Sequence, residues 1–369
     1  MSANKRNPRI RPVFKISAVD DQEKFKPVPT ATGEYPFRLD IKKVIPDIRD
    51  EKIVFHVAGD TGGTRSSRFQ QSVVVEMIRQ YQESNNEKDK PQFLFHLGDV
   101  VYNFGQASEY YNQFFNPYRD YPAPIFAIAG NHDADIDPVE VNPPRSLDAF
   151  TTVFCNAERR ELKLSKDAKR KANIQPNVYW VLETGLADFI GLYSNVPKFG
   201  NIQEDQRKWF IEALKTSAAS KKMIIVCVHH APFSADVNHG SSIHMQAIID
   251  GAVRESGVLP DIILSGHVHN YQRFNKQYPD GKTIPFIVAG NGGYADLHPI
   301  ADPDDKDFTD DSCLLDNVEL QNYCDDSHGF LKITLSKNKG KIILNGEFYA
   351  ADNINKARLY DSFTVESSR

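Results

Sequence analysis

Six short runs rich in Val, Ile and Phe recur along the chain: IVFHVAGD at 53–60, QFLFHLGD at 92–99, IFAIAGNHD at 125–133, MIIVCVHH at 223–230, DIILSGHVH at 261–269 and PFIVAGNGG at 285–293. Each has the length and composition of a buried strand. Helix-compatible stretches at 66–83, 205–217 and 244–255 fall between several of them, which predicts strand and helix alternation. Two further pairs, within 177–195 and 330–350, have no helix between their members and read as antiparallel hairpins. The expected class is α/β (α+β), a mixed β-sandwich flanked by helices.

Residues 1–50 carry Pro8, Pro12, Pro27, Pro29, Pro36 and Pro46 among many charges, the pattern of an extended arm lying over the body. The main domain is expected over 51–369, with a polar, lysine-rich insertion at 138–175 (KLSKDAKRKAN within it) and a C-terminal β extension at 328–369. The acidic run at 301–311 lacks EF-hand spacing and reads as a solvated loop.

Composition narrows the class. With 40% hydrophobic and 25% charged residues, the 369-residue chain is an ordinary globular one. Its longest apolar run, Met223–Val228, is far short of the roughly 20 residues of a membrane span. A net charge of −5 argues against general nucleic-acid binding. No apolar stretch follows the basic first ten residues, so the expected location is cytoplasmic, or secreted or periplasmic only if a leader has been removed. Cys155, Cys227, Cys313 and Cys324 are irregularly spaced with no CxxC, so neither a disulfide framework nor a thiolate zinc site is indicated. Cys227 reads as core, and a reducing compartment disfavours a Cys313–Cys324 bridge.

The chemistry sits where the strands end. Asp60, Asp99, Asn131 with His132, His229, and His267 with His269 each close an apolar run, most of them after a glycine. In α/β sheets the carboxyl ends of strands border the ligand crevice, so these side chains are expected on one rim. Glycines there permit a sharp exit from the strand and close backbone approach to a bound anion. Carboxylates, an amide and imidazoles without thiolate favour Fe, Mn or Zn. Their number exceeds one ion's demand, and a bridging Asp99 would place two cations about 3.5–4 Å apart.

The succession Asp60, GDVVY, GNHD, VHH and GHVH resembles the calcineurin-like metallophosphoesterases over roughly residues 53–293. That resemblance implies the four-layer α-β-β-α sandwich of two mixed sheets typical of the family. Many members place a histidine two residues after the first aspartate, where this chain has Gly62. Tyr102, three residues after Asp99, instead resembles the purple acid phosphatases of single-domain type, in which a tyrosinate is a ligand. The resemblance implies a first metal held by Asp60, Asp99, Tyr102 and His269, and a second held by Asp99, Asn131, His229 and His267. It also implies Fe(III) in the first site, with Fe(II), Zn or Mn in the second. His132 matches the substrate-facing histidine and His239 the position of the leaving-group acid.

The implied activity is hydrolysis of a small phosphate monoester. A phosphodiesterase or nucleotide hydrolase on the same scaffold is the second reading, and a non-catalytic scaffold the third. Neither the physiological substrate nor the oligomeric state is encoded in these motifs. Other histidines read as structural: His56 and His96 as hydrogen-bonded core, and His244, His298 and His328 as surface residues or neighbours of the site. His230 reaching substrate is the alternative to His229 reaching metal, and the family's single-histidine versions favour His229. GNGGY at 290–294 reads as a tight turn near the metal rim. Tyr271 and Arg273 fit a pocket-lining or a structural role equally well.

Overall fold

A computed structural model describes residues 11–351, 356–367 and 369. Residues 1–10 of the expected arm, and 352–355 and 368 of the expected C-terminal extension, lie outside the described residues. In chain order the first strands are β1 (Phe14–Lys15), β2 (Arg38–Asp40), β3 (Lys52–Ala58), β4 (Leu94–His96), β5 (Ile125–Ala127), β6 (Trp180–Glu183), β7 (Ala187–Gly191) and β8 (Met223–Val228). They continue as β9 (Ile262–Ser265), β10 (Tyr271–Gln277), β11 (Thr283–Ala289), β12 (Phe308–Thr309), β13 (Val318–Cys324), β14 (His328–Asn338), β15 (Lys341–Ala351) and β16 (Arg358–Glu366). The α-helices are α1 (Arg68–Glu83), α2 (Asn131–Ala134), α3 (Asp148–Phe154), α4 (Glu204–Ala219) and α5 (Ile243–Ser256).

One mixed sheet has the order β13-β10-β11-β9-β8-β7-β6-β2 and the other β16-β15-β14-β3-β4-β5. Alternation along each central strand divides its side chains between two cores. On β8, Met223, Ile225 and Cys227 face the opposite sheet, while Ile224, Val226 and Val228 pack with residues of α4 and α5. Around β4 and β5, Phe95, Leu97, Phe126 and Ile128 enter the inter-sheet core, and Leu94, Ile125 and Ala127 join Val73, Val74 and Met77 of α1. Each such aliphatic or aromatic side chain contributes roughly 1.5–3 kcal/mol on burial. The result is the four-layer α-β-β-α sandwich.

Both expected hairpins form, β6 with β7 and β14 with β15. The second closes through Lys339 and Gly340, whose φ values of +50° and +86° match the left-handed pair that a two-residue hairpin loop needs. The acidic run differs from the expected plain loop, because Phe308 and Thr309 within it pair as β12 with β1. The arm is stitched into the body. The Val13 N–H donates to Ser234 O at 2.8 Å, the Ser241 N–H donates to Val13 O at 2.7 Å, and β2 extends the larger sheet beside β6. The insertion contributes Phe150, Val153, Phe154 and Leu162 to the core outside β4 and β5.

All four cysteines are free, Cys313 exposed and the other three buried. Among the described residues no helix is long and apolar enough to cross a membrane.

Candidate metal centre

Strands β3, β4 and β5 of one sheet and β8 and β9 of the other run parallel within their sheets, and their carboxyl ends share one rim. There the chain bends sharply. Asp60, Asp99 and His267 have φ values of +57°, +52° and +67°. A left-handed non-glycine residue costs roughly 1–2 kcal/mol, and such strain concentrates at functional sites.

The rim gathers all seven expected ligands. Tyr102 Oη lies 3.3 Å from Asp60 Oδ1 and 3.0 Å from His269 Nε2, with 3.6 Å between the last two. Beside this group, Asn131 Oδ1 lies 3.1 Å from His229 Nε2 and 3.0 Å from His267 Nδ1. Asp99 Oδ2 stands 3.5 Å from His229 Nε2. Donor atoms of Asp60, Asp99 and His229 all fall within 4.8 Å of one another, so the two groups adjoin at these residues. Adjacent donors on one cation with bonds of about 2.1 Å are separated by about 3.0 Å at right angles and about 3.4 Å at the tetrahedral angle. The observed separations fit those values.

The far nitrogen of each histidine is tied to a backbone carbonyl. His229 Nδ1 meets Leu97 O at 2.8 Å, His267 Nε2 meets Lys198 O at 2.9 Å, and His269 Nδ1 meets Asp296 O at 2.9 Å. With its proton on that nitrogen, each ring turns a lone pair toward the Asp, Asn and Tyr oxygens, an arrangement that a cation resolves. Burial pushes the Asp60 carboxyl well above its ordinary range, His229 pulling the other way and Asp99 adding to the rise. Burial works against the charged form of His229, but Asp99 and Asp60 outweigh it and lift its pKa to about 9. Burial likewise opposes ionisation of Asp99, yet the charges of His229 and His132 hold it below the usual carboxylate range.

The glycines make room for these ligands. A Cβ on Gly130 would sit 2.1 Å from Asp99 Oδ1, and one on Gly98, at φ +97°, 2.6 Å from His229 Nδ1. Close approach therefore serves ligand side chains, which refines the expectation of room for an anion. Asp133 of GNHD accepts from the backbone N–H groups of Gly130, Val100 and Val101, pinning two ligand-bearing loops together.

His229 and His230 separate as alternation requires. His229 follows Cys227 in facing the inter-sheet side, whereas His230 Nδ1 contacts Ser194 Oγ at 2.7 Å. His56 and His96 are buried, bonded to Tyr121 and Gln80 and to Thr61 respectively, and burial lowers both to about 3.

A cavity of about 620 Å³ opens over the rim. His132 and His239 both line it. The His132 backbone N–H donates to Asp99 Oδ1 at 2.9 Å, and its ring lies 4.6 Å from that of Tyr102. The His239 ring lies 4.1 Å from that of His267, with Nδ1 3.4 Å from Asp236 Oδ2. Tyr294 of GNGGY stacks on Tyr102 at 4.0 Å, placing that turn at the rim.

Several lining residues were not singled out as site residues by the sequence. His298 lies 3.4 Å from Asp236 Oδ2 and within 4.2 Å of the His269 ring, so it belongs to the cleft wall. Lys198, Asp135, Asp296 and, from the arm, Asp21 and Lys24 also line it. Asp236 lies three residues before His239, a clue in the sequence, whereas nothing local marks Lys198 or the arm. Tyr271 and Arg273 bond Asp361 on β16, a structural role.

Fold and rim together are those of a phosphoesterase scaffold with two adjoining groups of candidate metal donors. Residues 53–271 match the calcineurin-like phosphoesterase family, and the chain belongs to it. An acid phosphatase of Aspergillus ficuum is 26% identical over 175 residues, 42% of this chain, and the chain spans only about a quarter (26%) of that protein's length. Among solved structures, the Plasmodium inner-membrane-complex anchor GAP50 aligns over 86% of this chain and 90% of its own, with a TM-score of 0.56 at 14% identity, a likeness of fold alone. A dimetal phosphatase from Danio rerio aligns over 85% and 98% with a TM-score of 0.47 at 11% identity.

Proposed function

We propose that this chain is a dinuclear metal-dependent hydrolase of phosphate monoesters, with an acid-phosphatase type of site. The observation that carries the reading is the pair of donor groups, each with its atoms 3.0–3.6 Å apart, meeting at Asp99. Asp60, Asp99, Tyr102 and His269 would hold the first cation, and Asp99, Asn131, His229 and His267 the second. The phenolate of Tyr102 is a hard anionic donor suited to Fe(III), with Fe(II), Zn or Mn in the second position. When bound, such a pair supplies Lewis-acid neutralisation of phosphoryl oxygens and an activated water nucleophile.

The surrounding side chains do the rest. His132 donates to a phosphoryl oxygen from above Tyr102. His239, held by Asp236, protonates the departing alkoxide. Lys198, half-buried at the wall, adds positive charge toward the substrate anion. The anchor role named for the Plasmodium protein offers a non-catalytic alternative, against which this chain keeps a full donor set on the rim.

Elemental analysis together with turnover of p-nitrophenyl phosphate and its bis-ester tests the reading. Two metals per chain, loss of activity on chelation and preference for the monoester are expected. A strong diester preference moves the assignment to a phosphodiesterase, and full activity in metal-stripped protein ends it.

A further inference from the structure

A second cavity, of about 230 Å³, lies at the opposite end of β5 from the metal cleft. Ile125, at the start of β5, lines it, whereas Asn131 beyond the other end belongs to the rim. Six residues of extended chain separate the two by about 20 Å.

Its charged lining is entirely positive: Arg119, Arg159, Lys169, Arg170 and Lys171, the last four contributed by the insertion, with no carboxylate. Arg119 is neutralised by Asp167. Among the described residues, none of the other four makes an ion pair. The Arg170 guanidinium donates only to carbonyls, those of Tyr118, Tyr121 and Ala123 at 2.8, 2.6 and 2.8 Å. Arg159 donates to Val44 O at 3.0 Å, and its Nε is buried without a partner.

Carbonyl oxygens satisfy donors but leave the cationic charge uncompensated, and buried charges are normally paired. Burial lowers the pKa of Arg170 to about 10 and depresses that of Arg159. Planar guanidinium forks match tetrahedral oxyanions in geometry as well as charge. The cavity is smaller than the 300 Å³ or so of typical small-molecule pockets, which suits a single oxyanion group better than a whole ligand.

We propose that this cavity is an anion site distinct from the metal cleft, taking the phosphate- or sulfate-type group of a small molecule against Arg159 and Arg170, with Lys169 and Lys171 at its mouth. The site does not depend on the hydrolytic reading, because none of its residues reaches the rim.

Inorganic sulfate is the probe, since it cannot be hydrolysed. Melting curves of the holoprotein in sulfate and in chloride at equal ionic strength are compared for wild type, Lys169→Glu/Lys171→Glu and Arg159→Leu. Lys337→Glu/Lys339→Glu, with both lysines exposed, serves as the charge-reversal control. A saturable sulfate-specific rise of about 3 °C is expected in wild type and control. The Lys169→Glu/Lys171→Glu protein should lose it, as should Arg159→Leu if that variant folds. Any sulfate bound at the metal centre contributes equally to all of them and cancels. Equal sulfate responses in wild type and Lys169→Glu/Lys171→Glu, or an equal loss in the Lys337→Glu/Lys339→Glu control, overturn the proposal.

Discussion

Tyr102 Oη lies 3.0 Å from Nε2 of His269, both side chains largely buried at the floor of the cleft. Burial pushes the phenol well above its ordinary pKa, with Asp60 and Asp99 adding to the rise, so a strongly charged cation is needed to ionise it. Oxidised holoprotein should therefore absorb visible light through phenolate-to-Fe(III) charge transfer, and Tyr102→Phe should abolish the band. Colourless protein carrying two zinc or manganese ions would sink the iron assignment.

Gly130→Ala should damage the centre without touching a ligand. The added methyl would meet Asp99 Oδ1 at 2.1 Å and Asp99 N at 2.4 Å, and the backbone there has no slack. Metal affinity should fall by about 10–100-fold, the loss typical of disturbed ligand support. Metal content per folded chain, measured by elemental analysis after dialysis, checks this. Unchanged content would show that Asp99 holds no cation.

His239→Ala should discriminate between leaving groups. An alkoxide needs a proton and p-nitrophenolate hardly does, so alkyl monoester turnover should drop by about 10²–10⁴-fold and p-nitrophenyl phosphate turnover by far less. Burial lowers the His239 pKa despite Asp236, so the protonated form is lost as pH rises and alkyl turnover should decline from the acid side. Equal losses on both substrates would remove His239 from the proton-donor role.

His56 supplies a pH-dependent term in stability. Burial drops its pKa from 6.5 to about 3, so the unfolded chain takes up the proton first as pH falls. The stabilisation is complete above about pH 6.5 and is lost toward pH 3, at up to about 1.4 kcal/mol per unit. Between about pH 6.5 and 4.5, wild type should lose about 2 kcal/mol more unfolding free energy than His56→Gln. Parallel denaturation profiles for the two proteins would contradict this.

The strand ends were legible because a buried parallel strand is a continuous apolar run, and a polar residue that stops it stands out. Asp60, Asp99, Asn131, His229 and His267 share that signature. Strands β10 and β13 were not legible, because one face of each carries polar residues such as Gln272 and Glu319, which hides a strand in what reads as loop. His298 was read as surface or neighbour, because its contacts with Asp236 and His269 join positions far apart in sequence. The aspartate of GNHD had no sequence rationale until its carboxylate was seen to gather the N–H groups of Val100, Val101 and Gly130. Asp21 and Lys24, from the expected arm, reach the cleft wall through long-range docking that no local pattern records.

Val13 clasps both ends of the loop that presents His239, through Ser234 and Ser241. Proteolytic removal of the segment that carries Val13 would leave every candidate donor of the rim in place while loosening the loop, so a trimmed preparation should keep its metal content and lose turnover on alkyl substrates.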